Sequence, residues 1–201
     1  ARGSGGSFSS STRGLYVSGQ GPASPYNINT IDYITIATTG NASDFGDSNT
    51  STTNRGGSNS TRGITFAYGG TNVMEYLTIA TLGNTIDFGD LTIYRASPMN
   101  GNPTSTTRLF SAGGTSPSPV NSIDYVEIMT DGNSQSFGDL TSAKAAGRCF
   151  NDSVRVVYCG GASLTSMETF IMASKGNGKH WGELGTIRNS HIAMSNSTRG
   201  I

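Results

Sequence analysis

Charge is scarce in this chain, and what there is cancels: thirteen basic residues face thirteen acidic ones, 13% of the sequence in all. A net charge of zero removes the long-range field that draws a protein to nucleic acid or to an anionic membrane. Long apolar runs are missing too. None approaches the roughly twenty residues a bilayer-spanning helix needs, and the opening residues hold no apolar stretch of the signal-peptide kind. Histidine occurs only at His180 and His191, too far from a second ligand-rich segment to suggest zinc. No Ser or Cys sits in a nucleophile-elbow pattern. These absences argue against an enzyme, a resident metal or cofactor, a nucleic-acid partner and insertion into a membrane. Cysteine is limited to Cys149 and Cys159. They either bridge neighbouring strands or stay as buried thiols, and a bridge is the less expected because Cys159 directly precedes Gly160-Gly161, where the backbone should turn away.

Helix-filling residues are also thin. Ala, Leu, Glu and Lys are outnumbered by Ser, Thr, Asn and Gly, which favour turns and compete with the helical backbone for hydrogen bonds. With 28 glycines and 34% hydrophobic residues, short strands joined by tight turns are the expected outcome.

What is present is periodic. A polar run, an arginine, an apolar stretch and a glycine pair or near-pair read STRGLYVSGQG at Arg13, STRGITFAYGG at Arg62, TTRLFSAGG at Arg108 and SVRVVYCGG at Arg155. An alternating strand with an acid near its start reads IDYITIAT at Asp32, MEYLTIAT at Glu75, IDYVEIMT at Asp124 and METFIMAS at Glu168. An aromatic-Gly-acid turn follows at Phe45, Phe88, Phe137 and Trp181. Successive anchors lie about 43 to 49 residues apart, the spacing of a tandem-repeat architecture. The units run approximately over residues 1–52, 53–95, 96–144 and 145–188, with a partial unit at 189–201. All belong to one repeat domain.

Periodicity turns each unit into strands. In IDYITIAT, Ile31, Tyr33, Thr35 and Ala37 face one way and Asp32, Ile34 and Ile36 the other, a pattern for a strand buried on both faces along much of its length. The arginine stretch, such as 62–68, predicts a second strand stopped by its glycine pair. Gly-Asn at 40–41, 83–84, 132–133 and 176–177 predicts tight hairpin turns. A weaker fourth strand is expected at 91–95, 140–144 and 184–188. The expected fold is all-β: four β-propeller blades of about 45 residues. The chain begins and stops inside a unit, which suggests a fragment of a larger propeller, with a four-bladed or incomplete ring as the alternative.

The order of glycine pair, acid-bearing third strand and aromatic opening a fourth resembles kelch-like repeats. Only Trp181 keeps the Trp usual in those units; Phe45, Phe88 and Phe137 replace it. The phrases NTIDYITIATTGNASDFGD and NTIDFGDLTIYR, with STRG before two apolar strands, are similar to repeats in virion-associated proteins of tailed bacteriophages, notably marine and cyanobacterial ones. Residues 48–55 break the usual DLT-x-x-R continuation after Asp47. The resemblance implies a structural component of a virus particle, a tail fibre or surface appendage with a host-attachment role. It would be assembled in the host cytoplasm and carried on the extracellular particle. Its partners would be other virion proteins, copies of itself and a host-surface glycan. A soluble carbohydrate-binding, lectin-like propeller is the alternative.

Residues repeated in every unit are expected to maintain the unit. Arg13, Arg62, Arg108 and Arg155 are therefore read as structural partners of Asp32, Glu75, Asp124 and Glu168 on the adjacent strand. Asp47, Asp90, Asp139 and Glu183 are read as turn acceptors of backbone N–H groups rather than calcium ligands. A ligand should touch what differs between units. The candidates are the Pro- and Ser-rich insertions at 20–29, with Tyr26, and at 115–121, followed by Lys179, His180 and Trp181. An exposed aromatic beside polar groups suits a sugar face.

Overall fold

The computed structural model describes the chain except for residues 1–2, 24–25, 51–54, 67–69, 98–102, 162, 188–192, 194 and 197–198. Fifteen strands and no helix are present among the described residues. They form four antiparallel sheets, taken in chain order. The first is β1 (Gly6–Ser9), β2 (Arg13–Gln20), β3 (Asn27–Thr35) and β4 (Ser43–Asp47). The second is β5 (Arg55–Ser58), β6 (Arg62–Phe66), β7 (Val73–Thr78) and β8 (Ile86–Asp90). The third holds β9 (Arg108–Ala112), β10 (Ser122–Glu127) and β11 (Gln135–Asp139), with Thr104 bridging to Leu109 where the others have their first strand. The fourth is β12 (Arg148–Asn151), β13 (Arg155–Cys159), β14 (Ser166–Ile171) and β15 (Lys179–Glu183).

Each sheet is a meander, as short strands joined by tight turns dictate. The arginine strand and the alternating strand lie where their periodicity puts them. The fourth strand does not. It precedes the arginine strand, as β1, β5 and β12, instead of following the aromatic strand at 91–95, 140–144 or 184–188; Arg188 lies outside the described residues. Those segments cross between sheets, and their spacing of four buries both ends: Leu91 with Arg95, and Leu140 with Lys144. The aromatic-Gly-acid triplets are strand rather than turn. In all four sheets the register slips beside the acid-bearing residue, so that the aromatic is the extra residue of a bulge. A bulge re-aims a side chain, and here it turns Phe45, Phe88 and Phe137 into the space between sheets.

Three apolar cores fill the three joints between successive sheets. Phe8, Leu15, Val17, Ile31 and Phe45 of the first sheet meet Leu77 and Ile79 of the second. Ile64, Phe66, Met74 and Phe88 meet Leu109, Val126 and Ile128. Phe110, Ile123 and Phe137 meet Val156, Tyr158, Phe170 and Met172. The strand buried on both faces is therefore a property of inner members of the array. In the first sheet Ile34 and Ile36, which match the buried Leu77 and Ile79, are 47% and 53% exposed.

Cys149 and Cys159 are buried and form no disulfide with each other. Cys149 is registered with Tyr158 and Cys159 with Arg148, so the two occupy adjacent rungs and project to opposite faces of the sheet.

Candidate functional site

The repeated arginines and acids do not pair within a unit. Arg13 is registered with Thr35, and strand alternation puts Tyr33 on that face and Asp32 on the other. Arg13, Arg62 and Arg108 accordingly lie over the rings of Tyr33, Tyr76 and Tyr125, at 5.0, 4.0 and 4.9 Å. Each guanidinium then reaches into the next sheet and donates to a backbone carbonyl: Ile79 at 3.0 Å, Ile128 at 3.1 Å and Met172 at 3.0 Å. The acids reach back the other way. Asp124 meets Arg95 at 3.0 Å and Glu168 meets Lys144 at 2.5 Å, all four side chains withdrawn from solvent. Glu75 accepts from the hydroxyls of Ser48 and Thr85 at 2.8 and 2.7 Å. Ser48 thus brings a hydroxyl where the second and third units carry LTIYR at 91–95 and LTSAK at 140–144.

Asp47, Asp90 and Asp139 are not turn acceptors. Their backbone N–H groups donate to the side-chain carbonyls of Asn84, Asn133 and Asn177, at 2.9 to 3.0 Å. The Gly-Asn turn thus hooks onto the preceding sheet as well as closing its own hairpin. Among the described residues no cluster of three metal-ligating side chains occurs.

One surface collects residues from every unit. Residues 9–11, 58–60, 104–106, 151–153 and 196 line a single concavity of about 680 Å³. They come from the end of each first strand and the turn that follows it. A belt of hydrogen bonds links these positions in chain order. Ser9 N–H donates to Ser58 Oγ (3.3 Å), Asn59 Nδ2 to the Thr106 carbonyl (3.1 Å), Asn151 Nδ2 to the Thr104 carbonyl (3.1 Å) and Ser195 Oγ to the Asn151 carbonyl (2.7 Å). The ends of the first strands therefore converge on this concavity, a cup shared by the sheets.

Its wall is one turn repeated. A short polar side chain three residues before each arginine accepts that arginine's backbone N–H: Ser10, Asn59, Ser105, Asp152 and Asn196, at 2.6 to 3.1 Å. N–H bonds from Val154 and Arg155 hold the Asp152 carboxyl below its ordinary range. At the next position Ser11, Ser60, Thr106 and Ser153 are exposed at the rim. The sequence did carry a signal for this cup, the polar residue at a fixed distance before each arginine, but only sheet geometry makes those positions converge.

The candidates singled out from the irregular segments lie elsewhere and apart. Tyr26 is 65% exposed at the start of β3 on the first sheet. Lys179 and His180 line a groove of about 520 Å³ on the fourth sheet, with Arg155 and Lys175. Trp181 lines a smaller hollow with Phe150, Val157 and Gly200. The insertion at 115–121 is tied down by Thr115, which exchanges backbone hydrogen bonds with Ala96 at 2.7 and 3.0 Å.

No family model matches the chain, and no curated protein matches it in sequence. Its backbone is similar to the solved structure of YjhT. The TM-score is 0.75 at 9% identity, over 96% of this chain and 74% of that one. At such identity the likeness concerns the fold alone, and it agrees with an all-β, propeller-like array of antiparallel sheets.

Proposed function

We propose that the chain is a non-catalytic binding module made of kelch-like propeller blades, and that it serves a virus particle as part of a tail fibre or surface appendage. Its ligand is a neutral, hydroxyl-rich molecule of the host surface, a glycan, taken at the shared cup. The observation that supports this reading is the lining: hydroxyls and amides from the same position of five successive units, with no aromatic ring and one carboxylate among them. Such a surface offers paired donors and acceptors and little net field, which suits saccharide hydroxyls better than ions or apolar ligands. The repeated sequence phrases that resemble phage virion proteins supply the particle context.

The test is binding of neutral oligosaccharides, by glycan array and then calorimetry, to the wild type and to a Ser11→Ala/Ser60→Ala/Thr106→Ala/Ser153→Ala variant. At least a tenfold loss of affinity with unchanged thermal stability is expected. Wild-type protein that binds no neutral glycan at millimolar concentration would remove the glycan reading. Absence of the chain from purified particles would remove the virion reading.

A further inference from the structure

All four sheets carry a Gly-Asn turn, but the residue after the asparagine differs. Ala42, Thr85 and Ser134 follow it in the first three, and Gly178 in the fourth. Asn177-Gly178 is therefore an Asn-Gly pair, the sequence in which a backbone amide attacks the preceding side chain most readily, because no Cβ crowds the nitrogen and the backbone turns freely. The chain's other such pair, Asn100-Gly101, lies outside the described residues.

The joint between the third and fourth sheets explains the glycine. Thr85 donates its hydroxyl to Glu75 at 2.7 Å, and Ser134 Oγ accepts from Thr92 N–H at 2.9 Å. At the fourth turn no hydroxyl intervenes. Glu168 accepts directly from Thr141 N–H at 2.6 Å, and a Cβ on Gly178 would stand 3.2 Å from that same carboxylate oxygen. The carboxylate takes the room that a side chain would need.

The same joint guards the pair. Asn177 is exposed and Gly178 buried. Asn177 Oδ1 accepts from Asp139 N–H at 3.0 Å, while Gly178 N–H donates to the Asp139 carbonyl at 2.7 Å. For attack, the Gly178 nitrogen must lose the proton it shares with that carbonyl, and the asparagine side chain must rotate away from Asp139 N–H. Both bonds belong to the joint, so the reaction waits on its opening.

We infer that Asn177 is a self-modification site, a deamidation centre that is closed while the third and fourth sheets are joined and reacts when they part. Hydroxide removes the Gly178 N–H proton, and the nitrogen bonds to Asn177 Cγ. The Cγ–Nδ2 bond breaks, the amide group leaves as ammonia with a proton returned from water, and a succinimide ring remains. Water opens the ring at either carbonyl, giving aspartate or isoaspartate. Isoaspartate lengthens the main chain by a methylene between Gly176 and Gly178, whose N–H groups donate to the Phe137 and Asp139 carbonyls at 3.0 and 2.7 Å, so those two bonds lose their shared register. Opening of this joint is thereby recorded irreversibly. Asn84 and Asn133 keep no such record, because the Cβ atoms of Thr85 and Ser134 crowd the attacking nitrogen.

The experiment incubates the 201-residue protein at mildly alkaline pH and follows deamidation at each asparagine by peptide mapping and mass spectrometry. In urea above the unfolding midpoint Asn177 is expected to react at least about tenfold faster than Asn84 or Asn133, and in native buffer its rate is expected to fall at least about tenfold. Gly138→Ala, whose Cβ would stand 2.3 Å from the Gly176 carbonyl oxygen, forces this joint apart and should restore most of the lost rate. Gly46→Ala makes the matching clash, 2.4 Å from the Gly83 carbonyl oxygen, between the first and second sheets and should leave Asn177 slow. If Gly138→Ala does not fold, urea below the midpoint replaces it, and the wild-type rate should climb before the far-ultraviolet circular dichroism changes. Three results would each overturn the proposal: equal rates for Asn177 in native buffer and in urea, a rate in urea no greater than that of Asn84, or equal acceleration by the two glycine variants. A rate that climbs only together with the circular dichroism change overturns it as well.

Discussion

Arg95 Nη2 and Asp124 Oδ2 lie 3.0 Å apart in successive units, with side chains 0% and 1% exposed. The guanidinium also donates to the carbonyls of Gly113 and Ser122 and to the Ser122 hydroxyl, and the carboxylate accepts from Thr92 Oγ1. Removing one member of such a pair strands the other in a dry interior, which costs about 3–5 kcal/mol, whereas replacing both with apolar residues is often neutral. Arg95→Ala should therefore lower unfolding free energy by about that amount in urea titration. Arg95→Met/Asp124→Leu should recover most of the loss. Equal destabilisation by both would show that the hydrogen bonds around the pair, not the charges, hold the joint.

A second prediction concerns the close fit at the joints between sheets. At Gly89 the backbone φ is +131°, and a Cβ would sit 2.6 Å from the Gly132 backbone. Gly89→Ala combines a strained conformation with a forced separation of two sheets, and should cost about 2–4 kcal/mol. Gly182→Ala, where an added Cβ would meet only the Met167 methyl at 3.3 Å, should cost well under about 1 kcal/mol. Differential scanning calorimetry of the two variants decides it, and matching losses would mean that the joint geometry is not what these glycines serve.

The contrast between these glycines shows how far the sequence could be read. Repetition, strand periodicity and the Gly-Asn turns were legible because each depends on residues a few positions apart. The partners of Arg13 and Asp32 were not. Both recur once per unit, which suggests a pair, but a strand's two faces are fixed by register, and register is set by the β2–β3 connection rather than by composition. The same limit hid the first strand of each sheet: Gly6–Ser9 and Arg55–Ser58 are too short and too rich in Gly and Ser to alternate visibly. Segment 91–95, with better strand formers, is instead drawn into the crossing by the burial of Leu91 and Arg95. The shared cup was invisible for a further reason. Its members are ordinary polar turn residues, and only the packing of successive sheets brings them together.

Acidification should loosen the turn between β12 and β13. Bonds from Val154 and Arg155 N–H lower the Asp152 pKa from an ordinary 3.8. A depressed folded-state value means that the ionised carboxylate stabilises the fold above about pH 4, and that this contribution is lost as pH falls through the lower folded-state value. The group is only partly buried, so the effect is small and local. Asp152→Asn should keep the turn, as Asn59 and Asn196 do in their units, and remove this pH dependence. Amide exchange at Val154 and Arg155 between pH 3 and 6 reports it directly; indifference of both amides to the substitution at every pH would show that the carboxylate does not hold the turn.

The two thiols should be inert in the folded protein. Burial pushes the Cys159 thiol up to about 11, against an opposing pull from Lys144, and burial, helped by its neighbour Cys159, raises Cys149 well above its ordinary value. Only the thiolate reacts, and projection to opposite faces of the sheet keeps the sulfurs from bridging. Ellman's reagent at pH 8 should therefore label neither cysteine in native protein and both after denaturation, with or without prior reductant. Because the folded-state values are raised, the thiols contribute stability that is full below about pH 9 and falls as pH rises toward 11, so Cys149→Ser/Cys159→Ser should flatten the alkaline limb of the melting-temperature profile. Two thiols that appear on denaturation only after reduction would establish a disulfide, and with it a first strand shifted by one rung from the register described here.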